Sequence, residues 1–276
     1  MSLSQHDKAN QFVALHSRAQ PFVIANAWDG GSARLLAGLG FEAIATSSGA
    51  SAGVLGRVDG MVTRDEALAQ AQGICAATDR PVSADLEKGF GDSPETVAET
   101  IRLAGAAGLV GASIEDASGD PARPIYDFDF AVDRIVAAVA AARQFPFPFS
   151  LTARTENHLR GRNDLDDTIR RLQAFERAGA DVLFAPGLPD LEAVRTICAS
   201  LRKPVNFMVG IRGKSFTVAE LAAAGVKRIS LATSLFRAAM TGLHTAALEV
   251  RERGTFDYLD STLTSGQWAE FMQKPR

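Results

Sequence analysis

Hydrophobic and polar positions along the chain form two kinds of segment that alternate. Short runs rich in apolar and β-branched residues recur, and each is followed by a longer stretch with helical spacing. The runs that predict strands are 22–27, 42–46, 81–86, 111–116, 149–154, 181–186, 204–209 and 228–232. The stretches that predict helices are 32–39, 64–77, 94–107, 130–142, 164–178, 188–201, 218–224 and 234–251. The pattern therefore predicts eight strand–helix units in a row.

Several of the predicted helix ends carry capping signals. Ser93 precedes Pro94, which places an N-cap residue before a proline at the first helical position. Gly105, Gly179 and Gly225 lie at the ends of predicted helices, where a left-handed residue often terminates the helix. These signals support the division of the chain into alternating elements.

Strands that alternate with helices predict a parallel sheet, because each helical crossover returns the chain in the same direction. The near-continuous apolar runs suit strands that are covered on both faces. Eight such units close into a (β/α)8 TIM barrel of the α/β class. A doubly wound open sheet is the alternative, but no central break interrupts the pattern. We therefore predict a single barrel domain over residues 1–276, with a C-terminal helical extension over about 234–276.

Composition narrows the class of protein further. The 276 residues are 46% hydrophobic and 22% charged with a net charge of −3, and no basic block predicts nucleic-acid binding. Cys75 and Cys198 both lie in predicted helices, which argues against a disulfide scaffold or a cysteine-ligated zinc site. No apolar stretch approaches the ~20 residues of a membrane span, and the polar opening residues do not resemble a signal peptide. We expect a cytoplasmic protein without a membrane partner.

Acidic side chains gather where the predicted strands end. In a barrel of this kind, reactive groups come from the carboxyl ends of the strands and the loops after them. The acids at these positions are Asp59, Asp85, Glu87 and Glu115. Arg154 ends the fifth strand and should face them. The alternative for each acid is to cap a helix or to form a salt bridge with Arg154.

Crowded carboxylates cannot all stay ionised without a counter-ion. Oxygen ligands without cysteine or clustered histidine suit Mg²⁺, or else Mn²⁺, better than zinc. Because Mg²⁺ usually keeps several waters, some of these acids should act through water. The sequence therefore predicts a hard cation at this mouth of the barrel.

Small residues follow the second predicted strand. Ser47, Ser48 and Gly49 form a turn of the kind that presents backbone N–H groups and hydroxyls to a carboxylate or phosphate. An ordinary tight turn would use the same residue types. Asn206, from the seventh strand, adds a polar group at the same mouth.

The joint spacing of several motifs resembles the isocitrate lyase/phosphoenolpyruvate mutase superfamily over about residues 20–235. The motifs are Asn26 to Asp29, Ser32 to Arg34, Gly40-Phe41, Ser47-Ser48, Leu55-Gly56, Asp59-Gly60, Asp85 to Asp92, Gly108 to Asp116, Ala153 to Thr155, Ala178 to Asp181, Pro186-Gly187, Pro204 to Asn206 and Gly225 to Ser230. No one of them would suffice alone. The resemblance implies a barrel whose eighth helix is often exchanged with a neighbouring subunit, giving homodimers or homotetramers.

The resemblance also implies a chemistry. Members of the superfamily use Mg²⁺ to bind 2-oxo acids and to stabilise an enolate while a C–C or P–C bond breaks or forms. By position, Asp85 would be the direct metal ligand, with Asp59, Glu87 and Glu115 acting mostly through water. Asp59 would also be one of the catalytic groups.

The substrate-binding groups follow in the same way from the resemblance. Ser47, Ser48 and Gly49 would hold the substrate carboxylate, and Asn206 would contact the substrate as well. Arg154 would polarise the oxo or enolate oxygen. A guanidinium placed where negative charge develops stabilises the transition state, so Arg154 and Ser47 are catalytic candidates.

The loop after the fourth strand departs from part of the superfamily. Isocitrate and methylisocitrate lyases carry a Lys-Lys/Arg-Cys-Gly-His loop there, whose cysteine acts as acid and base, whereas residues 117–124 read ASGDPARP. The Lys-x-Asn-Ser gating segment of phosphonomutases is missing too. Loss of CO₂ needs no proton donor on the leaving group, and oxaloacetate decarboxylase members also lack the cysteine loop.

These departures favour a Mg²⁺-dependent C–C lyase, decarboxylase-like, that acts on a small oxaloacetate-like 2-oxo acid. A mutase or hydrolase acting on the P–C bond of phosphonopyruvate is one alternative. A non-catalytic barrel that binds a small carboxylate is the other.

Three further residues are candidates for substrate contact or catalysis. Lys88, beside Glu87, could meet a distal carboxylate of the substrate, or it could be a solvated lysine paired with a nearby acid. Arg123, in the loop after the fourth strand, is a second candidate for that contact. His158 follows the fifth strand and could serve as a base, or it could lie at the surface.

Overall fold

The strands form a closed parallel barrel in a computed structural model that describes residues 3–273. Their order around the barrel is the order along the chain, from β1 to β8, and β8 pairs with β1. The strands are β1 (Phe22–Asn26), β2 (Ile44–Ala45), β3 (Val82–Asp85), β4 (Gly111–Glu115), β5 (Ser150–Arg154), β6 (Val182–Phe184), β7 (Val205–Met208) and β8 (Arg228–Ser230). The predicted (β/α)8 TIM barrel is confirmed. The ends of the predicted 1–276 domain lie outside the described residues.

Helices surround the barrel and continue beyond it. They are α1 (Gln5–His16), α2 (Gly30–Gly38), α3 (Ser48–Val54), α4 (Arg64–Ala77), α5 (Pro94–Ala106), α6 (Phe128–Ala142), α7 (Leu165–Arg177), α8 (Leu191–Ala199), α9 (Val218–Ala223), α10 (Ser234–Arg253) and α11 (Ser265–Gln273). All eight predicted helices are present within a few residues of their predicted bounds. The strands are shorter than predicted, because their ends leave the ladder and enter the loops of the site.

Helix α1 is an element that the hydrophobic pattern did not predict. A capping box begins it, in which Ser4 Oγ accepts from the backbone N–H of Asp7. Its buried positions include Phe12 and Leu15. Phe12 reaches the barrel so closely that a Cβ on Gly111 would lie 3.0 Å from its ring. Helix α1 therefore covers the amino-terminal end of the barrel, opposite the predicted site.

Two of the three glycines at predicted helix ends have the expected conformation. Gly179 and Gly225 have φ angles of 101° and 97°, in the left-handed region. Gly105 was the wrong choice, because it lies inside α5, and Gly108 with φ 95° is the left-handed residue after that helix. A Cβ on Gly105 would lie 2.2 Å from the ring of Phe145, so close packing explains this glycine.

The C-terminal segment is helical. Helix α10 has 20 residues, of which only Glu249 is buried. After a 3₁₀ turn, α11 returns to the barrel and packs on α2, where Trp268 lies against Gly31. Arg34 Nη2 donates to the carbonyl of Met272 at 2.5 Å.

Within residues 3–273, no helix combines the length and the apolar character that crossing a membrane requires.

Candidate active site

A central cavity of about 330 Å³ opens at the carboxyl ends of the strands. Seven of the ten predicted site residues line it: Ser47, Ser48, Gly49, Asp59, Asp85, Arg154 and Asn206. The strands from which they come are far apart in sequence, but parallel strands end at the same rim. The tertiary structure thus brings the predicted turn, two of the acids and the arginine to one place.

The predicted turn after β2 is the first turn of the short helix α3. Ser47 is its N-cap residue, and the backbone N–H of Ser48 donates to Asp85 Oδ2 at 3.4 Å. A Cβ on Gly49 would lie 2.8 Å from Thr233 Cγ2 and 3.3 Å from Asp59 Oδ2. Glycine is therefore required there, because the chain passes closely between two neighbouring side chains.

Asp85 lies at the centre of the acidic side of the cavity. Its backbone N–H donates to Thr46 Oγ1 at 3.0 Å, which fixes the end of β3 against β2. Its Oδ1 accepts from the backbone N–H of Glu87 at 3.3 Å. Arg154 Nη1 lies 3.8 Å from Asp85 Oδ2. The N–H groups of Ser48 and Glu87 and the guanidinium of Arg154 therefore surround the Asp85 carboxylate on three sides. The carboxylate still lines the cavity.

Burial and mutual repulsion disfavour the ionised forms of two acids near Asp85. Burial, then Asp85 and Asp59, raise the pKa of Glu87 to about 7. Burial likewise raises the pKa of Glu115, and Glu156 and Asp85 add to the effect. Glu87 also has a left-handed φ of 50°, a strained conformation of the kind that clusters at functional sites. A cation bound here would relieve the repulsion among these groups.

Arg154 is held by three carboxylates. Its Nε lies 2.6 Å from Glu156 Oε1 and 3.3 Å from Glu115 Oε2. Burial lowers the pKa of Arg154, but these two acids and Asp85 more than offset that effect and raise it above its ordinary value. The guanidinium also lies 5.1 Å from the centre of the Phe184 ring. Arg154 therefore stays protonated, and these contacts fix the orientation of its guanidinium group.

The donor set fits a hard cation that is bound mainly through water. Within residues 3–273, no three acidic, histidine or cysteine side chains converge as a ready-made metal cage. Mg²⁺ commonly takes one or two carboxylates and keeps its remaining waters, so a preformed cage is not required. The Asp85 carboxylate faces the cavity and could bind directly, and Asp85 and Asp59 add to the effect of burial that raises the pKa of Glu87. The described lining of the cavity includes no cysteine or histidine, which zinc would favour.

Three predicted site residues lie outside the lining of the central cavity. Glu115 is 8% exposed, and its Oε2 lies 3.3 Å from Nε of Arg154, which lines the cavity. Glu87 and Lys88 line a neighbouring surface pocket. Lys88 Nζ donates to Asp92 Oδ1 and to the carbonyl of Ser118, both at 2.7 Å. The role of Lys88 at a distal carboxylate remains a prediction.

The other two candidates from the sequence are also outside the lining. Arg123 is exposed and lies 3.7 Å from Asp120. His158 has a buried Nε2 with no hydrogen-bond partner, and burial lowers its pKa. Leu159, its neighbour, lines the cavity instead. Both roles remain predictions.

The sequence reasoning missed three charged residues near the site. Glu156 is 1% exposed and holds Arg154; its position two residues after Arg154 was the available signal. Arg228 and Arg237 both line the cavity. Arg228 could have been found from its position, because a charged residue at the start of the apolar run 228–232 is unusual for a buried strand. Arg237, in a helix pattern, gave none.

Comparisons with known proteins find a matching family model and several relatives. The family model of phosphoenolpyruvate phosphomutase matches residues 12–251. The chain is 31% identical over 263 residues to the 2-methylisocitrate lyase of Escherichia coli K12, covering 92% of this chain and 88% of that enzyme. It is 30% identical over 256 residues to the oxaloacetate decarboxylase of Chromohalobacter salexigens, covering 90% and 87% of the two chains.

A solved structure is more similar still. It is a protein of Burkholderia cenocepacia J2315, provisionally described as a lyase/mutase, with 50% sequence identity and a TM-score of 0.96. The match covers 98% of this chain and 97% of that one.

Proposed function

The chain belongs to the isocitrate lyase/phosphoenolpyruvate mutase superfamily, and on this premise we propose that it is a Mg²⁺-dependent lyase that breaks a C–C bond in a small 2-oxo acid. Decarboxylation of an oxaloacetate-like acid is the specific reaction. The observation that carries the proposal is the position of Arg154, which shares one cavity wall with Asp85 and is aligned by buried acids.

Four acids would hold the metal, Asp85 directly and Asp59, Glu87 and Glu115 mainly through water. When bound, Mg²⁺ supplies positive charge beside the oxo and carboxylate oxygens of the substrate. The acids themselves support this assignment: burial and then neighbouring carboxylates raise the pKa values of Glu87 and Glu115, and a cation would favour their ionised forms.

The protein's own groups would orient the substrate and stabilise the charge that develops. The turn from Ser47 to Gly49 would hold the carboxylate next to the oxo group, with Asn206 beside it. As the bond to the departing carboxylate breaks, its electron pair moves toward the oxo oxygen and leaves an enolate and CO₂. Arg154 would donate N–H groups to the oxygen that gains this charge. A proton from water then completes the product.

The lining of the cavity favours CO₂ as the leaving group. A leaving group that departs as an anion needs a proton donor, whereas CO₂ leaves neutral. The described lining offers no cysteine, histidine or lysine as such a donor. Its apolar members, which include Phe184, Met208 and Ile211, would leave a departing carboxylate poorly solvated. The departing carboxylate would then be more stable as neutral CO₂ than as an anion.

A turnover screen tests the proposal. Purified protein with Mg²⁺ is offered oxaloacetate, phosphonopyruvate, methylisocitrate and longer 2-oxo diacids, and the release of pyruvate, phosphate and CO₂ is measured. Oxaloacetate loses CO₂ slowly on its own, so an Asp85→Ala protein in the same buffer provides the background rate. CO₂ release above that rate is expected, and EDTA should abolish it.

Two other outcomes would replace the proposal. Release of phosphate from phosphonopyruvate would favour an enzyme acting on the P–C bond. Binding of Mg²⁺ and oxalate, which mimics a pyruvate enolate, without any turnover would favour a non-catalytic carboxylate-binding barrel.

Helix α10 supports an oligomeric state. Fourteen of its 20 residues are exposed, among them the apolar Met240, Leu243 and Val250. Exposed apolar side chains on a long helix favour association with another subunit. A homodimer or homotetramer that exchanges this helix is therefore part of the proposal. Light scattering on the wild type and on a Leu243→Glu variant tests it, and a monomeric wild type would contradict it.

A further inference from the structure

The segment that follows Arg154 is polar but almost completely buried. Thr155, Glu156 and Asn157 are each at most 1% exposed. Asp116, which follows the last residue of the neighbouring strand β4, is buried beside them. Polar groups that are buried so completely need hydrogen-bond partners within the protein. These partners determine how the segment 155–157 is held.

Asp116 holds the segment from the side of β4. Its backbone N–H donates to the carbonyl of Arg154 at 3.1 Å. Its Oδ1 accepts from the backbone N–H of Glu156 at 2.8 Å, and its Oδ2 accepts from Thr155 Oγ1 at 2.8 Å. Asp116 therefore contacts three consecutive residues, and one of them is the acid that orients Arg154.

Arg171, on α7, supplies the counter-charge for Asp116. Its Nη1 lies 3.1 Å from Asp116 Oδ2, and its Nε lies 2.9 Å from Asp167 Oδ2. Arg171 is itself buried, so the protein rather than solvent fixes its position. Asp167 Oδ2 also accepts from Asn157 Nδ2 at 3.1 Å. The ion pairs of Arg171 thus reach both ends of the segment 155–157.

Asp116 and Arg171 also hold the loop after β4. The backbone N–H of Tyr126 donates to the Asp116 carbonyl at 2.9 Å, and the Tyr126 carbonyl accepts from Arg171 Nη1 at 3.0 Å. The Tyr126 hydroxyl donates to Asp92 Oδ1 on the next loop. Asp116 is therefore fixed by a charge and by two neighbouring pieces of backbone, and it gives the segment 155–157 a rigid support.

We propose that Asp116, paired with Arg171, is a positioning residue: it fixes Glu156, and Glu156 fixes the guanidinium of Arg154. Asp116 has this role only if Arg154 stabilises the developing charge, so the inference rests on the proposed function. Such stabilisation depends on groups that are fixed before the reaction. A misplacement of about 1 Å can lower a rate by about 100-fold. The described lining of the cavity includes neither Asp116 nor Arg171, so both act through other residues.

Asp116→Asn keeps the size of the side chain and removes its charge. It should lower kcat about tenfold with a smaller change in KM, because hydrogen bonds that fix the segment are weakened. It should also weaken the binding of oxalate to the Mg²⁺-loaded protein, since oxalate mimics the enolate beside Arg154. Calorimetry would measure this affinity.

Two measurements separate positioning from a general loss of structure. The Kd of Mn²⁺, followed by electron paramagnetic resonance, should stay at its wild-type value in Asp116→Asn, because Asp85 is untouched. A merely structural role would change the metal affinity as well. Arg170→Gln removes an exposed ion pair to Asp167 and is the control, which should keep wild-type kcat and oxalate affinity.

Thr155→Val and Thr155→Ser separate the hydrogen bond from the packing. Valine has nearly the shape of threonine but cannot donate to Asp116 Oδ2, so kcat and oxalate affinity should fall. Serine keeps the hydroxyl group and should retain most of both. This pair keeps the inference testable if Asp116→Asn fails to fold.

A double variant of Asp116→Asn and Glu156→Gln tests whether the two residues act as one unit. Residues that act through the same group have non-additive effects, so the double variant should be about as slow as the slower single variant. Effects that multiply, or wild-type kcat and oxalate affinity in Asp116→Asn, would overturn the inference. Unchanged kcat in Arg154→Lys would instead contradict the proposed function.

Discussion

Glu156 Oε1 accepts a hydrogen bond from Arg154 Nε at 2.6 Å, and Glu156 is only 1% exposed. The second oxygen of the same carboxylate lies 3.3 Å from Arg160 Nε. Glu156 therefore ties a surface arginine to the arginine that faces the cavity. This pairing fixes the direction of the Arg154 guanidinium, which the proposed reaction requires.

Glu156→Gln should lower kcat roughly tenfold and change KM less, because a charge-assisted hydrogen bond that positions Arg154 becomes a neutral one. Steady-state kinetics at saturating Mg²⁺ would measure the change. Glu156→Asp keeps the charge and should retain more of the activity. Asp65→Asn, at an exposed acid, is the control and should change nothing. If Glu156→Gln raised KM and left kcat unchanged, Glu156 would not position Arg154 for the reaction.

Asp85→Ala should lower the affinity for the metal by more than about 100-fold, because it removes the proposed direct ligand. Titration with Mn²⁺ followed by electron paramagnetic resonance would measure the affinity. Circular dichroism should show an intact fold, since Asp85 ends its strand at the rim of the barrel. A fully active Asp85→Ala enzyme would mean that the metal site is elsewhere.

Arg154→Lys should lower kcat by about 100-fold, because an ammonium group cannot reproduce the planar fork that donates to the developing charge. The acids around it would still hold a cation, so the fold should persist. Single-turnover kinetics would separate the chemical step from binding. Wild-type kcat in this variant would remove Arg154 from the mechanism.

His16 should make the protein less stable in acid. It lies between the rings of Phe12 and Phe22, and its Nδ1 is 2.8 Å from the carbonyl of Phe12. Burial, together with the charge of Arg228, lowers its pKa to about 3 from an ordinary value of 6.5. As the pH falls below 6.5, His16 binds a proton in the unfolded chain but stays neutral in the folded protein. The contribution of His16 is therefore complete above pH 6.5 and is lost as the pH falls toward 3.

Chemical denaturation of the wild type and of His16→Phe between pH 7 and pH 5 would isolate this effect. The difference in unfolding free energy should move in favour of the variant by about 1.4 kcal/mol for each pH unit below 6.5. Glu87 and Glu115 titrate in both proteins and cancel in the difference. Parallel stability curves would show that His16 is not buried in its neutral form.

Much of the fold could be predicted because its pattern is local. Apolar runs of strand length alternate with helical spacing through the barrel, and parallel strands must all end on one rim. The elements that were missed lacked a local signal. Helix α1 is polar over most of its length. Its few buried residues, such as Phe12, are covered only because the helix packs on the end of the barrel. Helix α3 is built of small residues that also suit a turn.

The sequence alone determined the barrel and the family, because these depend on periodicity and on motif spacing. It also predicted Asp85 and Glu115 near Arg154, but it missed Glu156. Only the tertiary structure decided which of them share a cavity. It placed Lys88 against Asp92 and Arg228 against Asn206 and Thr152. Partners such as Arg228 and Thr152, 76 residues apart, are set by the closure of the barrel. Burial and charge balance depend on such distant neighbours, and no local pattern encodes them.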